Sequence, residues 1–353
     1  MAVAAATGVG YYFSGRSSPP EVAAIQPRDE PRAALGLARQ AATEGRWQDA
    51  EPAFAQAAAL DATSADAQAG WAKSLLYQYR ATDALVHARR AVDLAPRDAA
   101  VRATLALSLD WSGDPEGAAA EARRSIDLDP DLADSHAYLA ETYIDRYQLA
   151  EAQRESDRAL TLDAAAVEPL RVHAYLLEAQ GRYQQAIAAY QDAIKATPKF
   201  AHLYFALGNV YRAVGQIDDA ATSFHQALTL APNDARSLTG LAQGYMGQGD
   251  YSAAISYLQD AVQADPSYST AQGQLGSAYY FAGDLADAQQ PLEQAIQLEK
   301  NADRLTTYHH VLGWVYLGLS RIDQAESEFQ AALAVNPKME GAQQGLAAVR
   351  AAR

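Results

Sequence analysis

The sequence contains no cysteine in 353 residues. Without cysteine the chain can form neither disulfides nor thiolate metal sites. This absence fits an extracytoplasmic bacterial protein, and it fits a cytoplasmic protein nearly as well. The missing cysteines therefore restrict the chemistry of the chain without deciding its compartment.

Basic residues are scarce as well. Lysine and arginine total 28 against 43 aspartates and glutamates, which gives a net charge of −15. Nonspecific binding to nucleic acid requires a cationic surface, so we expect no nucleic-acid partner. The alternation of apolar and polar residues that is typical of strands is also missing over any length, and helices joined by short turns are expected instead.

The N-terminal segment is apolar but short. Residues 1–13 read MAVAAATGVGYYF, below the roughly 20 apolar residues of a spanning helix, and no basic residues precede them as in a signal peptide. The aromatic end of this segment, followed by Arg16, resembles the interfacial end of a membrane helix. One hypothesis is that residues 1–13 end a membrane anchor and residues 14–30 form a flexible linker; the other is a disordered or docked tail. The anchor hypothesis slightly favours tethering at a bacterial envelope over a cytoplasmic location.

The rest of the chain repeats with a period of 34 residues. Small residues recur in register along the whole array, glycine recurs five residues before one alanine column, and proline recurs twelve residues after it. That alanine column consists of Ala50, Ala84, Ala118, Ala152, Ala186, Ala220, Ala254 and Ala288, with Ala325 following after a step three residues longer. A fixed period of this length predicts a solenoid of stacked helical pairs.

One unit, residues 201–232, shows why the period predicts helices. Leu207, Gly208 and Tyr211 fall on one face of a first helix, which Gly215 ends because glycine tolerates a left-handed turn. A second helix follows and stops at Pro232, since proline cannot donate the backbone hydrogen bond. Such a pair cannot bury its apolar face alone and must stack on its neighbours.

These columns resemble the tetratricopeptide repeat (TPR), most clearly at 206–232 (ALGNVYRAVGQIDDAATSFHQALTLAP) and 240–266 (GLAQGYMGQGDYSAAISYLQDAVQADP). The resemblance implies an all-α, right-handed superhelical solenoid of antiparallel helix pairs, with nine repeats over 31–337 and a capping helix over 338–353. Two departures stand out: Tyr79 and Tyr147 occupy the glycine column, which predicts tighter or irregular turns there. Three extra residues between Leu298 and Thr306 predict a longer loop or an extended helix.

In this family the first helices build the concave wall, so the resemblance also predicts which residues meet a partner. Mapping the family's wall positions gives a central acidic zone with aromatics, followed by a neutral aromatic zone. The predicted partner-binding residues are Tyr77, Trp111, Tyr138, Glu141, Asp145, Arg171, Tyr175, Phe205, Asn209, Arg212, Met246, Tyr280, Phe281, His310 and Trp314. The alternative for each aromatic is packing between repeats, because the same helical stripe serves the core. Among them, Trp111 and Trp314 are expected to be exposed.

No constellation of residues predicts catalysis. The histidines are scattered, and Glu141 and Asp145 lie four apart on one helical face without a nucleophile or metal ligands beside them, which favours a solvated acidic face. We therefore expect no enzyme activity, no cofactor and no metal.

A non-catalytic protein–protein interaction scaffold is the first hypothesis, with a basic or amphipathic peptide or protein segment in the groove. The alternatives are a structural or assembly subunit that uses its outer face or ends, and an accessory protein of an envelope complex. The sequence leaves the oligomeric state open.

Overall fold

The computed structural model of the chain describes residues 30–353, which form helices and turns without strands. Nineteen helices follow one another in this part of the chain: α1 (Glu30–Thr43), α2 (Trp47–Leu60), α3 (Ala65–Leu76), α4 (Ala81–Leu94), α5 (Ala99–Trp111), α6 (Pro115–Leu128), α7 (Ala133–Asp145), α8 (Leu149–Leu162), α9 (Val167–Ala179), α10 (Tyr183–Ala196), α11 (Ala201–Ala213), α12 (Ile217–Leu230), α13 (Ala235–Gln248), α14 (Tyr251–Ala264), α15 (Ser269–Ala282), α16 (Leu285–Leu298), α17 (Ala302–Gly318), α18 (Ile322–Val335) and α19 (Glu340–Ala352). The membrane-anchor hypothesis concerns residues 1–13, which lie outside the described residues. None of the described helices is both long and apolar enough to span a bilayer.

Each odd-numbered helix from α1 to α17 packs against the helix that follows it, the nine pairs stack in chain order, and α19 packs on the last pair. The predicted small-residue columns form these contacts: Ala84, Ala118 and Ala152, for example, are fully buried. A Cβ atom on Gly208 would lie 2.7 Å from the ring of Phe224. The absence of side chains there is what lets paired helices approach closely, and the fold agrees with the predicted solenoid.

The turns within the pairs are more regular than the sequence predicted. Six glycines in the predicted column have positive φ, for example Gly45 at 78° and Gly181 at 71°. Tyr79 and Tyr147 adopt the same left-handed conformation, at 62° and 57°. The prediction of irregular turns at these two tyrosines was therefore wrong: the turn geometry is kept, at a cost of roughly 1 kcal/mol for a residue with a Cβ atom.

The three extra residues before the ninth pair lengthen a helix. Of the two outcomes predicted from the sequence, a longer loop or an extended helix, the structure has the second. Helix α17 has 17 residues, against 12 in α3 and 14 in α15. The side chain of Asn301 caps it by accepting the backbone N–H of Arg304 at 3.1 Å. The Glu299 carboxylate accepts the N–H groups of Lys300 and Asn301, so the longer connection is ordered by local hydrogen bonds.

The first half of the superhelix closes on itself. The turn between α1 and α2 touches the turn between α10 and α11, where Lys199 Nζ lies 3.0 Å from a carboxylate oxygen of Glu44. Gly45 sits directly against Phe200, because a Cβ atom on Gly45 would lie 2.8 Å from Phe200 Cβ. We call the contact of Glu44, Gly45, Lys199 and Phe200 the closure. It makes the inside of the first six pairs an interior, where the sequence predicted an open groove.

Replacing Gly45 with alanine is expected to cost more than the same change at a free turn. Gly45 (φ 78°) and Gly181 (φ 71°) share a left-handed conformation, but a Cβ atom on Gly181 meets nothing within 4 Å. Gly181→Ala should therefore show only backbone strain, about 1 kcal/mol, while Gly45→Ala adds overpacking at the closure of about 1–3 kcal/mol. Urea unfolding of both variants measures the difference, and equal losses would show that the closure contributes no stability.

Candidate functional site

The interior of the first half holds a network of ion pairs centred on Arg171 in α9. Its guanidinium bonds both oxygens of Glu141, at 3.0 and 2.5 Å, and Nε bonds Glu168 at 2.9 Å. The indole N–H of Trp111 donates to the same Glu141 carboxylate at 3.0 Å. Successive first helices α5, α7 and α9 are thereby joined through charged hydrogen bonds, which are the strong kind.

Lys73 extends this network to α3. Its ammonium lies 3.1 Å from Glu168 and 3.4 Å from Asp134, and the hydroxyl of Tyr77 also donates to Glu168. Burial alone would raise the pKa of Glu168, but Lys73 and Arg171 outweigh it and hold that pKa at about 2. Glu168 is therefore ionised over the whole physiological range, as a compensated interior charge.

This network corrects the expected groove in the central repeats. Tyr77, Tyr138, Glu141 and Arg171 are buried, at 7%, 2%, 4% and 2% exposure, so none of them lies on the wall of an open groove. The physical reason is the closure, which brings the first pair against the junction of the fifth and sixth. Glu141 is likewise paired inside the protein, so the interpretation of Glu141 and Asp145 as a solvated acidic face holds for Asp145 alone.

A cavity of about 460 Å³ remains beside the network. Helices α5, α7, α9, α10, α11 and α13 surround it, and the turn between α3 and α4 covers one side. Its lining includes Tyr79, Asp110, Trp111, Glu141, Asp145, Arg171, Tyr175, Glu178, Tyr190, His202, Phe205, Asn209 and Arg236. Seven of the predicted partner-binding residues therefore line one cavity: Trp111, Glu141, Asp145, Arg171, Tyr175, Phe205 and Asn209. Of the predicted set, Arg212 is exposed and lies outside it.

Tyr79 covers the cavity from the strained turn. Its hydroxyl hydrogen-bonds Nδ1 of His202 at 3.0 Å, and its ring stacks on Trp111 with 6.2 Å between centroids. The guanidinium of Arg236 lies 3.6 Å from the centroid of the same ring. Contacts with α5, α11 and α13 thus offset the backbone strain. Tyr79 was not among the residues predicted for the site, although its place in a glycine column was a signal in the sequence.

Asp110, at the end of α5, is the exceptional residue of the cavity. It is 8% exposed, and neither carboxylate oxygen has a hydrogen-bond partner. Burial, reinforced by Glu141 and Asp145, raises the pKa of Asp110 to about 8. The hydroxyl of Thr142, which lowers this pKa slightly, donates to the carbonyl of Tyr138 at 3.0 Å. A carboxyl group without partners in the interior costs free energy when it is charged.

The rim of the cavity carries two more carboxyl groups. Asp145 is exposed and accepts the hydroxyl of Tyr175 at 2.6 Å, and Glu178 accepts the hydroxyl of Tyr190 at 3.1 Å. Partial burial raises the pKa of both carboxyl groups. The cavity therefore combines acidic groups with aromatic faces.

The neutral zone predicted for the last repeats lies at the surface. Phe281, at the end of α15, is 54% exposed and forms an aromatic pair with Tyr280, with 5.2 Å between centroids. Met246 and His310 are partly exposed on α13 and α17. Trp314 is also only half-buried: its indole N–H donates to His310 at 3.0 Å while its ring packs on Phe329. We call Met246, Tyr280, Phe281, His310 and Trp314 the aromatic surface. The expectation of exposure at Trp111 and Trp314 is met in part, since both are half-buried.

Within residues 30–353, no group of three or more histidines, aspartates and glutamates is arranged to hold a metal ion. His202 is partly buried, and the loss of solvation lowers its pKa to about 3, so it stays neutral and shares a hydrogen bond with the Tyr79 hydroxyl through Nδ1.

Comparison with known proteins agrees with this architecture. Family models described as tetratricopeptide repeat match residues 205–269, 245–307 and 306–339, and one described as TPR repeat matches 174–215. No curated protein matches the sequence. A similar solved structure is the APC/C hetero-tetramer Cut9–Hcn1, with 21% identity, a TM-score of 0.70 and coverage of 85% of this chain. This chain spans 59% of the length of that one. A tetratricopeptide repeat protein from Parabacteroides merdae has 16% identity and a TM-score of 0.50, with coverage of 69% of this chain and 96% of that one. At these identities the likeness is one of fold.

Proposed function

Because this chain is a tetratricopeptide-repeat protein, and such proteins are in general scaffolds for protein–protein interactions, we propose that it holds a segment of a partner protein on its aromatic surface. The observation that carries the proposal is the exposure of Phe281 on α15, with the half-buried Tyr280 beside it, outside the closed first half of the superhelix. Aromatic side chains give large contact area at low entropic cost and dominate binding hot spots.

The partner segment we propose is apolar with basic residues. The aromatic surface carries no formal charge besides His310, whose pKa is lowered by burial, so apolar side chains suit it. The whole chain has a net charge of −15, which attracts a basic segment and speeds its encounter. Proteins of this family are typically non-catalytic, and we propose the same for this chain.

Two earlier alternatives stay predictions. An assembly subunit would use the outer face or the ends, and a tether at a bacterial envelope would use residues 1–13. Neither is supported by a contact among the described residues.

Peptides selected from a random library by the parent protein test the proposed surface. We expect Phe281→Ala and Tyr280→Ala to lower the affinity for the selected peptides at least tenfold, since truncating a hot-spot aromatic costs about 2 kcal/mol of binding free energy. Tyr183→Ala is the matched control, because Tyr183 is an exposed tyrosine at 37% on the second helix of a pair. Fluorescence anisotropy measures each affinity. Unchanged binding by both variants, or no enrichment of any peptide, would refute the proposal.

A further inference from the structure

The Asp110 carboxyl group has no hydrogen-bond partner, whereas the carboxylates of Glu141 and Glu168 are paired with Arg171 and Lys73. Arg171, the cation that acts on Asp110, already bonds Glu141 and Glu168. Arg236 is held on aromatic faces, 3.6 Å from the ring of Tyr79 and 4.9 Å from that of Tyr268. Four carboxyl groups line the cavity against two guanidinium groups. The cavity thus has room for one more cation beside Asp110.

We propose that this cavity binds an aliphatic ammonium or guanidinium group, which the lysine or arginine side chain of the bound segment supplies. The cation site itself rests on the cavity; only this source of the group rests on the proposed function. Both Asp110 oxygens are closed to solvent in the empty cavity, so the side chain must turn towards the cavity for its carboxylate to accept the hydrogen bonds of the cation. The carboxylates of Asp145 and Glu178 attract the cation at the rim.

The walls of the cavity fit the stem of such a group. Trp111, Tyr175 and Phe205 present aromatic rings along the lining, against which methylene groups pack and over which a cation is attracted. The volume of about 460 Å³ lies within the range of ligand sites and exceeds what one side chain needs. A bare inorganic cation would leave most of this apolar wall uncovered, so we infer an organic one.

Binding at this site releases a proton. Asp110 is largely protonated at pH 7 when the cavity is empty, and the carboxyl proton passes to the buffer as the carboxylate bonds the incoming cation. Affinity should therefore rise with pH up to about 8 and level off above it. The charged and titratable groups that line the cavity together with Asp110 are Tyr79 from the turn after α3, Glu141 and Asp145 from α7, Arg171, Tyr175 and Glu178 from α9, Tyr190 from α10, His202 from α11 and Arg236 from α13.

Small probes test the cation site without any partner. We would follow the indole N–H signal of Trp111 by NMR while adding butylguanidinium or butylammonium, with butanol as the uncharged control. The cations should shift this signal saturably, with a dissociation constant on the order of 1 mM for probes this small. Asp110→Asn should lower the affinity for both cations at least tenfold. Asp127→Asn, the same change on the exposed side of α6, should leave the affinity unchanged. Calorimetry at pH 7 in buffers of different ionisation enthalpy should detect the released proton.

Each outcome decides a part of the proposal. Equal shifts with butanol would show a merely apolar cavity, and no shift with any probe would show that Asp110 is simply a neutral buried acid; either result overturns the cation site. The selected peptides test the source of the group: replacing their lysine with norleucine should weaken binding to the parent at least tenfold, but not to Asp110→Asn. If the norleucine peptide loses the same affinity for the parent and for Asp110→Asn, the lysine of the bound segment is not the group that enters the cavity. If Phe281→Ala and Tyr280→Ala bind the selected peptides as tightly as the parent does, the proposed function is refuted, but the cation site is not.

Discussion

Replacing Arg171 with methionine is expected to lower the free energy of unfolding by about 3–5 kcal/mol. Methionine keeps much of the volume but removes the guanidinium that Glu141 and Glu168 share. Glu168 keeps Lys73 at 3.1 Å, whereas Glu141 keeps only the indole N–H of Trp111. An uncompensated buried carboxylate is the main cause of the expected loss.

The pH dependence separates this cause from a packing defect. In the parent the pKa of Glu168 is depressed to about 2, so the stability it contributes is present above pH 4.5 and is lost only as the pH falls towards 2. Without Arg171 the interior carboxyl groups take up protons at higher pH. The deficit of the variant should therefore be largest near pH 7 and shrink towards pH 4. Arg154→Met, at an arginine with 69% of its side chain exposed, should change stability by less than about 0.5 kcal/mol. A deficit that is independent of pH would contradict the electrostatic explanation.

The repeat could be predicted from the sequence because each pair is specified locally. Alanine and glycine columns fix how closely helices approach, and glycine or proline ends each helix, so one unit contains the information for its own shape. The three-residue increase in the repeat step before α17 is also a local signal, and it predicted either a longer loop or the extended helix that the structure has. Even Tyr79 and Tyr147 kept the left-handed turn that their column demands.

The closure could not be predicted because it joins residues far apart in the chain. Glu44 and Lys199 are separated by 155 positions, and they meet only because small rotations accumulate over four intervening steps of the superhelix. A change of a few degrees per pair would leave the same sequence columns and an open groove. The family's wall positions therefore pointed to Glu141 and Arg171 as wall residues but could not show that these two side chains would bond each other.

Replacing Asp110 with asparagine is expected to stabilise the protein, and the gain should depend on pH. The pKa of this carboxyl group is about 8 in the folded chain and near 3.8 when it is unfolded. Because the folded pKa is raised, the contribution of Asp110 to stability is fully present below pH 3.8 and is lost as the pH rises to about 8. Asparagine does not ionise and loses no stability in this way, so the variant should gain little at pH 4 and roughly 5 kcal/mol near pH 8.

Urea unfolding of the Asp110→Asn variant and of the parent between pH 4 and pH 9 measures this gap, with Asp127→Asn as the control that should show none. A gap that does not change with pH would mean that the Asp110 carboxylate is solvated in the native state. The proposed cation site makes a further prediction about the stability difference between the variant and the parent. Saturating butylguanidinium binds the native parent and stabilises it by RT ln(1 + [L]/Kd), so at pH 8 the probe should narrow the gap, while at pH 4 it should not. The same carboxyl group would then account both for the instability of the empty cavity and for its affinity for a cation.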